Sequence, residues 1–67
     1  MHNGTILHVS KSRDFGYIGI PGRKADLWFH VSDLRGIEVD DQLIGRRVVC
    51  EIGDGTKGPR AVDVRPA

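Results

Sequence analysis

The chain alternates short apolar runs with breaks that contain glycine and proline. β-Branched and aromatic residues dominate the runs, which is typical of strands rather than helices. No stretch free of Gly and Pro is much longer than about a dozen residues, which leaves little room for an ordinary helix. The pattern predicts five strands, at residues 5–10, 15–20, 25–31, 46–52 and 59–65.

Three of the connections between these strands are short and carry turn residues, such as the Pro-Gly pair in PGRK. The fourth, residues 32–45, is too long for a tight hairpin. We expect a single helical turn over 32–35 with Ser32 as its N-cap, followed by irregular chain. A meander of three strands and a returning pair closes into a small five-stranded barrel, which removes exposed edges. We therefore expect one all-β domain over residues 1–67.

All four Phe, Trp and Tyr residues lie in two neighbouring predicted strands. Because side chains alternate along a strand, Phe15 and Tyr17 share one face, and Trp28 and His30 share one face of the next strand. The short turn at 20–24 makes the two strands antiparallel neighbours, so the four rings should meet on the outer surface. Such a surface stacks nucleobases at roughly 1–3 kcal/mol each with little regard to sequence.

The opposite face of these strands supplies the expected barrel interior, namely Ile18, Leu27 and Phe29. This assignment depends on the strand register. A slip of one residue would bury three of the four rings and expose Phe29, and the aromatic residues would then only fill a core.

Basic residues border the rings in the sequence and are candidate phosphate contacts. They are Lys11, Arg13, Arg23, Lys24, Lys57 and Arg60, the last two placed in the final loop. The formal net charge of +1 neither marks nor excludes a nucleic-acid-binding protein, because the distribution of charge matters more than its sum.

Cys50 is the only cysteine and lies in the apolar run VVCEI, which predicts a buried small hydrophobe rather than a reactive thiol. No internal disulfide can form, which fits a reducing compartment. The sequence has no apolar run of membrane-spanning length and no signal-peptide pattern, so we expect a soluble cytoplasmic protein. The initial Met and compact ending favour a whole small protein.

Several motifs together resemble the cold-shock domain family. FGYI at 15–18 resembles the first ribonucleoprotein-type motif of that family, and DLWFHV at 26–31 resembles the second. GTI at 4–6 resembles the opening of the first strand, and TKGPRAVDV at 56–64 resembles the closing signature. The resemblance runs from about residue 4 to residue 66 and so covers nearly the whole chain.

The resemblance implies an antiparallel Greek-key barrel of the oligonucleotide-binding (OB) fold, of the cold-shock domain type. It implies binding of single-stranded RNA or DNA with low sequence specificity, as a nucleic-acid chaperone or a regulator of transcription or translation. It implies no catalysis, cofactor or metal, no membrane and no small-molecule substrate. We expect a monomer, with a dimer left open.

The resemblance also assigns roles to particular residues. Stacking falls to Phe15, Tyr17, Trp28 and His30, while Lys11, Arg13 and Lys57 would lie near phosphates. Two further residues, His8 and Arg60, complete the candidate site. The predicted nucleic-acid-binding set is therefore His8, Lys11, Arg13, Phe15, Tyr17, Trp28, His30, Lys57 and Arg60.

Four departures from the family pattern weaken the expected binding face. The first strand carries Leu7-His8-Val9-Ser10 where the family usually has Lys-Trp-Phe-Asn, so one stacking Trp becomes His and one Phe becomes Val. Val31 and Val39 stand at two further positions that are usually aromatic, and Asp14 replaces a glycine. The loss of about three stacking side chains, at about 1 kcal/mol each, predicts binding roughly a hundredfold weaker than that of a typical member.

Two other function classes are considered. Catalysis has little support, because Asp40 and Asp41 fit a solvated loop and no triad or phosphate-cradling motif is present. The three histidines also lack the paired spacing of metal ligands. The stronger alternative is a protein-interaction or self-associating OB module, in which exposed Trp28 with apolar Val9 and Val31 meets a partner.

Overall fold

The computed structural model describes residues 1–10, 12–40, 42–55 and 58–67 and contains a closed five-stranded barrel. The strands run in the spatial order β1-β2-β3-β5-β4. They are β1 (His2–Val9), β2 (Phe15–Gly19), β3 (Leu27–His30), β4 (Arg47–Gly55) and β5 (Gly58–Pro66). The predicted all-β barrel of OB type is confirmed, with β1 starting earlier and β4 ending later than the apolar pattern indicated.

Four of the five strand pairings are antiparallel, and the fifth, β3 with β5, is parallel. The predicted antiparallel Greek-key barrel is therefore antiparallel at every described strand pairing except this one seam. The reason is parity, because strand direction cannot alternate all the way around a closed ring with an odd number of strands. The seam is formed by the pair Trp28 and Arg60 and is extended by a parallel bridge between Leu34 and Val64.

The barrel interior holds a continuous apolar core. Ile18, Leu27 and Phe29 are all at most 1% exposed, which confirms the predicted register and excludes the one-residue slip. Cys50 is fully buried, also as predicted. The other buried core residues are Ile6, Leu43, Val48, Ala61 and Val64.

The β2–β3 connection is a tight turn that fixes the pairing of these two strands. The backbone N–H of Arg23 donates to the carbonyl of Ile20 (3.1 Å), and Gly22 has a φ of +88°. Proline before a glycine in the left-handed region is the signature of a type II β-turn, because only glycine adopts that φ without strain. The predicted Pro21-Gly22 turn is confirmed.

The β3–β4 connection begins with one 3₁₀ turn, Val31–Asp33. The helical turn was expected one residue later, with Ser32 as its cap. The cap is instead His30, whose Nδ1 accepts the backbone N–H of Ser32 (3.1 Å). After this turn the described part of the connection has no helix or strand, in agreement with the prediction, and Leu43 anchors it in the core. No helix in the described residues is long and apolar enough to cross a membrane.

Candidate nucleic-acid interface

The register of β2 and β3 brings the predicted rings together on the outer surface. Phe15 pairs with His30 and Tyr17 pairs with Trp28 across the two strands. Phe15 and Trp28 are stacked, with ring centroids 6.4 Å apart and planes inclined by 29°. Phe15 meets Tyr17 edge to face at 6.2 Å, and Trp28 lies 6.3 Å from His30. Tyr17 is exposed and the other three rings are half-buried.

A β-bulge in β1 adds His8 to this surface. Ile6 pairs with Ile18 and His8 pairs with Tyr17, so Leu7 is an extra residue without a counterpart in β2. The inserted residue reverses the alternation of β1, so that Ile6 is buried while His8 is exposed. The His8 ring lies 6.3 Å from the ring of Tyr17. We call the five side chains of this surface the ring platform: His8, Phe15, Tyr17, Trp28 and His30.

The same bulge explains the position of Val9. With the alternation reversed, Val9 is half-buried and packs against the core. Val39 packs against the core in the same way, and Val31 is half-buried within the 3₁₀ turn. Both apolar residues that the protein-interaction alternative uses, Val9 and Val31, are therefore only partly exposed.

Gly16 allows the part of β2 that carries Phe15 and Tyr17 to lie close to the core. It lies between Phe15 and Tyr17 in sequence and points inward. A Cβ atom at this position would lie 2.8 Å from the Phe29 ring and would also overlap the carbonyl oxygen of His8. The absence of a side chain lets β1 and the Phe29 ring approach β2 closely.

The ring of His30 is held in one orientation by Ser32. Its Nδ1 lies 3.0 Å from the Ser32 hydroxyl and accepts the Ser32 backbone N–H. Because Nδ1 accepts, the proton of the neutral ring is on Nε2. Within the described part of the chain, no acceptor takes a hydrogen bond from that N–H.

Arg60 packs against Trp28. It belongs to β5, in agreement with the predicted strand 59–65, so only its grouping with the last loop is wrong. Its Cζ atom lies 5.8 Å from the centre of the Trp28 ring, a cation–π distance. Nη2 donates to Oδ1 of Asp33 (3.4 Å) and lies 3.2 Å from Oδ2, to which it makes no hydrogen bond of good geometry.

The remaining predicted phosphate contacts are placed as follows. Arg13 is exposed in the loop before β2, where its φ is +61°, and Arg23 and Lys24 are exposed in the β2–β3 turn. Lys11 and Lys57 lie outside the described residues. Asp14 is exposed next to Phe15, which keeps a negative charge at the border of the platform.

Sequence reasoning missed two elements of this site. The first is the bulge at Leu7. The adjacent apolar residues Ile6 and Leu7 interrupt the alternation of apolar and polar positions in β1, and this interruption is the signal that could have indicated the bulge. The second is Asp33, which had no local signal because its partner Arg60 is 27 residues away in the chain.

Comparison with known proteins agrees with this fold. The family model described as "'Cold-shock' DNA-binding domain" matches residues 2–67. The chain is 30% identical to the Cold shock protein ScoF of Streptomyces coelicolor, over the full length of both chains. It is 34% identical to the Cold shock-like protein CspC of Escherichia coli K12 over 61 residues, which are 91% of this chain and 88% of that protein.

A solved structure of similar fold is the drosophila Unr CSD456, with a TM-score of 0.77 and 22% identity. The match covers 98% of this chain and 26% of that one, and it shows the fold alone. The family match over residues 2–67 and the two relatives identify the chain more closely. The chain belongs to the family of cold-shock DNA-binding domains, a nucleic-acid-binding rather than an enzymatic family.

Proposed function

We propose that this chain binds single-stranded RNA or DNA by stacking bases on the ring platform. The observation that carries the proposal is the continuous surface of five rings, in which each ring lies 6.2–6.4 Å from its neighbour. A row of rings at this spacing offers stacking partners to successive bases of one strand. A duplex keeps its bases stacked on each other, so a platform of this kind selects unpaired nucleotides.

Low sequence specificity follows from the chemistry of the surface. Every base has a π-face, and stacking is worth roughly 1–3 kcal/mol per base whatever its identity. Arg13, Arg23 and Lys24 are exposed in the loops on either side of β2 and would contact phosphates, together with Lys11 and Lys57. These contacts supply an attraction that weakens as salt rises.

We expect weaker binding than in a typical family member. His8 offers a smaller ring than the usual Trp, and Val9 and Val39 pack toward the core instead of offering a π-face. The Asp14 carboxylate at the border repels phosphate. With Val31 as a third position that lacks its usual ring, these differences predict an affinity lower by roughly a hundredfold, at about 1 kcal/mol for each missing ring.

Selective capture of unpaired strands gives a direct route to chaperone activity. A protein that binds the open form of a nucleic acid and not the duplex shifts the equilibrium toward the open form by mass action. Weak and sequence-tolerant binding also lets the protein leave quickly. A role as an RNA chaperone or as a regulator of transcription or translation, acting in the cytoplasm, is therefore part of the proposal.

The test uses Trp28, which is the only tryptophan and lies between Phe15 and His30 in the platform. Titration with oligothymidine at low salt should quench its fluorescence, and the apparent affinity should fall as salt is raised. Phe15→Ala should weaken binding, while Ile44→Ala, at an exposed position with no ring contact, should not. A Trp28 signal that ignores oligonucleotides, combined with self-association in sedimentation, would instead support the interaction module.

A further inference from the structure

The guanidinium of Arg60 is paired with a carboxylate before any ligand arrives. Its side chain is 35% exposed, and the carboxylate that holds it, Asp33, has a side chain only 12% exposed. The parallel pairing of Arg60 with Trp28 places both residues side by side on the seam. An arginine held in this way loses little conformational entropy when it contacts a ligand.

The pair with Asp33 also makes Arg60 a poor phosphate contact. Attraction to phosphates depends on uncompensated positive charge, and the Asp33–Arg60 pair is neutral as a unit. Only Nη2 is engaged by Asp33, and no acceptor in the described part of the chain takes a hydrogen bond from Nε or Nη1. Donors therefore remain for a neutral group that lies on or beside Trp28.

On the basis of the proposed function, we propose that Arg60 forms hydrogen bonds with the edge of the base that stacks on Trp28 and favours guanine there. Asp33 is the positioning residue that holds Arg60. Guanine presents N7 and O6 as adjacent acceptors, which match the arginine fork. Adenine has the same ring size but replaces O6 with an amino donor, which opposes the guanidinium donors. Cytosine offers two adjacent acceptors on a smaller ring and ranks second.

One base-reading position is compatible with a surface that is otherwise tolerant of sequence. The platform rings contribute stacking that every base can satisfy, whereas Arg60 adds hydrogen bonds that only some bases can accept. The expected specificity is therefore confined to one nucleotide of the bound strand.

The experiment compares guanine with adenine at each position of an oligothymidine of about eight nucleotides, a length within the range that OB folds bind. Trp28 fluorescence reports the affinity of the full chain. At one position the guanine oligonucleotide should bind about 5- to 10-fold more tightly than its adenine counterpart, near the lower end for an arginine–guanine pair. Arg60→Gln should abolish this ratio, and Asp33→Asn should reduce it.

Two controls separate base reading from other roles. The first control is Arg65→Gln. Arg65 lies on the same strand and is also paired with an aspartate, Asp63 (3.0 Å), but it contacts no ring of the platform. The Arg65→Gln variant should keep the guanine preference. Since Arg60→Gln alone leaves the buried Asp33 carboxylate unpaired, the double variant Asp33→Asn/Arg60→Gln is measured as well. It too should lack the preference.

The salt dependence supplies the decisive second readout. A lost phosphate contact would reduce the slope of log affinity against log salt by about 0.7, whereas Arg60→Gln should leave that slope unchanged. Equal binding of guanine and adenine by the unmodified chain overturns the inference, as does a reduced slope with an unchanged base preference. Failure of the proposed function looks different, because then no oligonucleotide binds at all.

Discussion

Gly16 and Phe29 are packed so closely that a Cβ atom on Gly16 would lie 2.8 Å from the Phe29 ring. The same atom would overlap the carbonyl oxygen of His8, which is backbone and cannot swing away. The close approach connects the two faces of β2, because the residue between two platform rings is also the contact point of the largest core side chain.

Replacing Gly16 with alanine should therefore destabilise the barrel. We expect Gly16→Ala to lower the free energy of unfolding by roughly 1–3 kcal/mol, the usual range for overpacking, as measured by urea denaturation. Gly53→Ala is the matched control, because its Cβ would meet only the Val62 side chain, at 3.3 Å. A loss as large in the control as in Gly16→Ala would contradict the explanation.

Substitutions of Phe29 and Phe15 should affect different properties, namely stability for Phe29 and oligonucleotide binding for Phe15. Phe29 is fully buried, so Phe29→Ala should cost about 3–5 kcal/mol of stability. Phe15→Ala removes a half-buried platform ring and should weaken oligothymidine binding by roughly 1–3 kcal/mol, with a smaller effect on unfolding. Denaturation and Trp28 titration of both variants check the contrast. An unchanged affinity in Phe15→Ala would remove that ring from the binding surface.

His8→Trp should increase affinity. His8 is exposed and lies 6.3 Å from Tyr17, so a larger ring at this position extends the platform. We expect oligothymidine to bind more tightly by about 1 kcal/mol, which is roughly a fivefold change. Because the variant contains a second tryptophan, the affinity is measured by calorimetry. Asn3→Trp, an exposed position of the same strand on the β4 side, should leave it unchanged.

The Asp33–Arg60 pair should show coupling in stability. Arg60→Ala leaves a nearly buried carboxylate without its cation and should cost roughly 1–3 kcal/mol. Adding Asp33→Asn to that variant should recover part of the loss, because the unpaired charge is removed. A double-mutant cycle from urea denaturation measures the coupling. Strictly additive losses would mean that the two side chains do not stabilise each other.

Cys50 should make stability fall at high pH. Burial raises the pKa of the Cys50 thiol above its ordinary value of 9.0, and the Glu51 carboxylate adds to the shift. A pKa raised in the folded state means that the neutral thiol contributes stability below pH 9.0 and that this contribution is lost as pH rises toward the folded-state pKa.

The measurement compares urea denaturation of the unmodified chain and Cys50→Ala between pH 7 and pH 10. The unmodified chain should lose stability faster above about pH 9, where the unfolded thiol ionises. A thiol reagent should also label native Cys50 slowly, because labelling requires opening of the barrel. Rapid labelling of the native chain would show that the thiol is accessible.

Much of the fold follows from period-two alternation and glycine spacing. Phe29 and Trp28 are adjacent in the chain, and alternation alone places one in the core and the other outside. The Pro21-Gly22 turn is equally local. The bulge at Leu7 is harder to predict, since it depends on how β1 fits between two neighbouring strands.

The parts of the site that could not be predicted depend on contacts between distant residues. The contact of Arg60 with Trp28 could not be predicted, because the parallel pairing of β3 with β5 joins residues far apart in the chain. Asp33 was missed for a similar reason, since a lone aspartate after β3 gives no indication that β5 returns beside it. The 3₁₀ turn was placed one residue late because the His30 side chain, rather than Ser32, supplies the cap.

The parallel seam between β3 and β5 has a mechanical consequence. The described parts of these strands share only the register pair Trp28 and Arg60, which makes the seam the shortest pairing in the barrel. A nucleic-acid strand that stacks on Trp28 and contacts Arg60 would bind to both β3 and β5 and so connect them across the seam. Separation of β3 from β5 would then require release of the nucleic acid. We therefore expect the barrel with bound nucleic acid to resist opening at this seam more than the free barrel does.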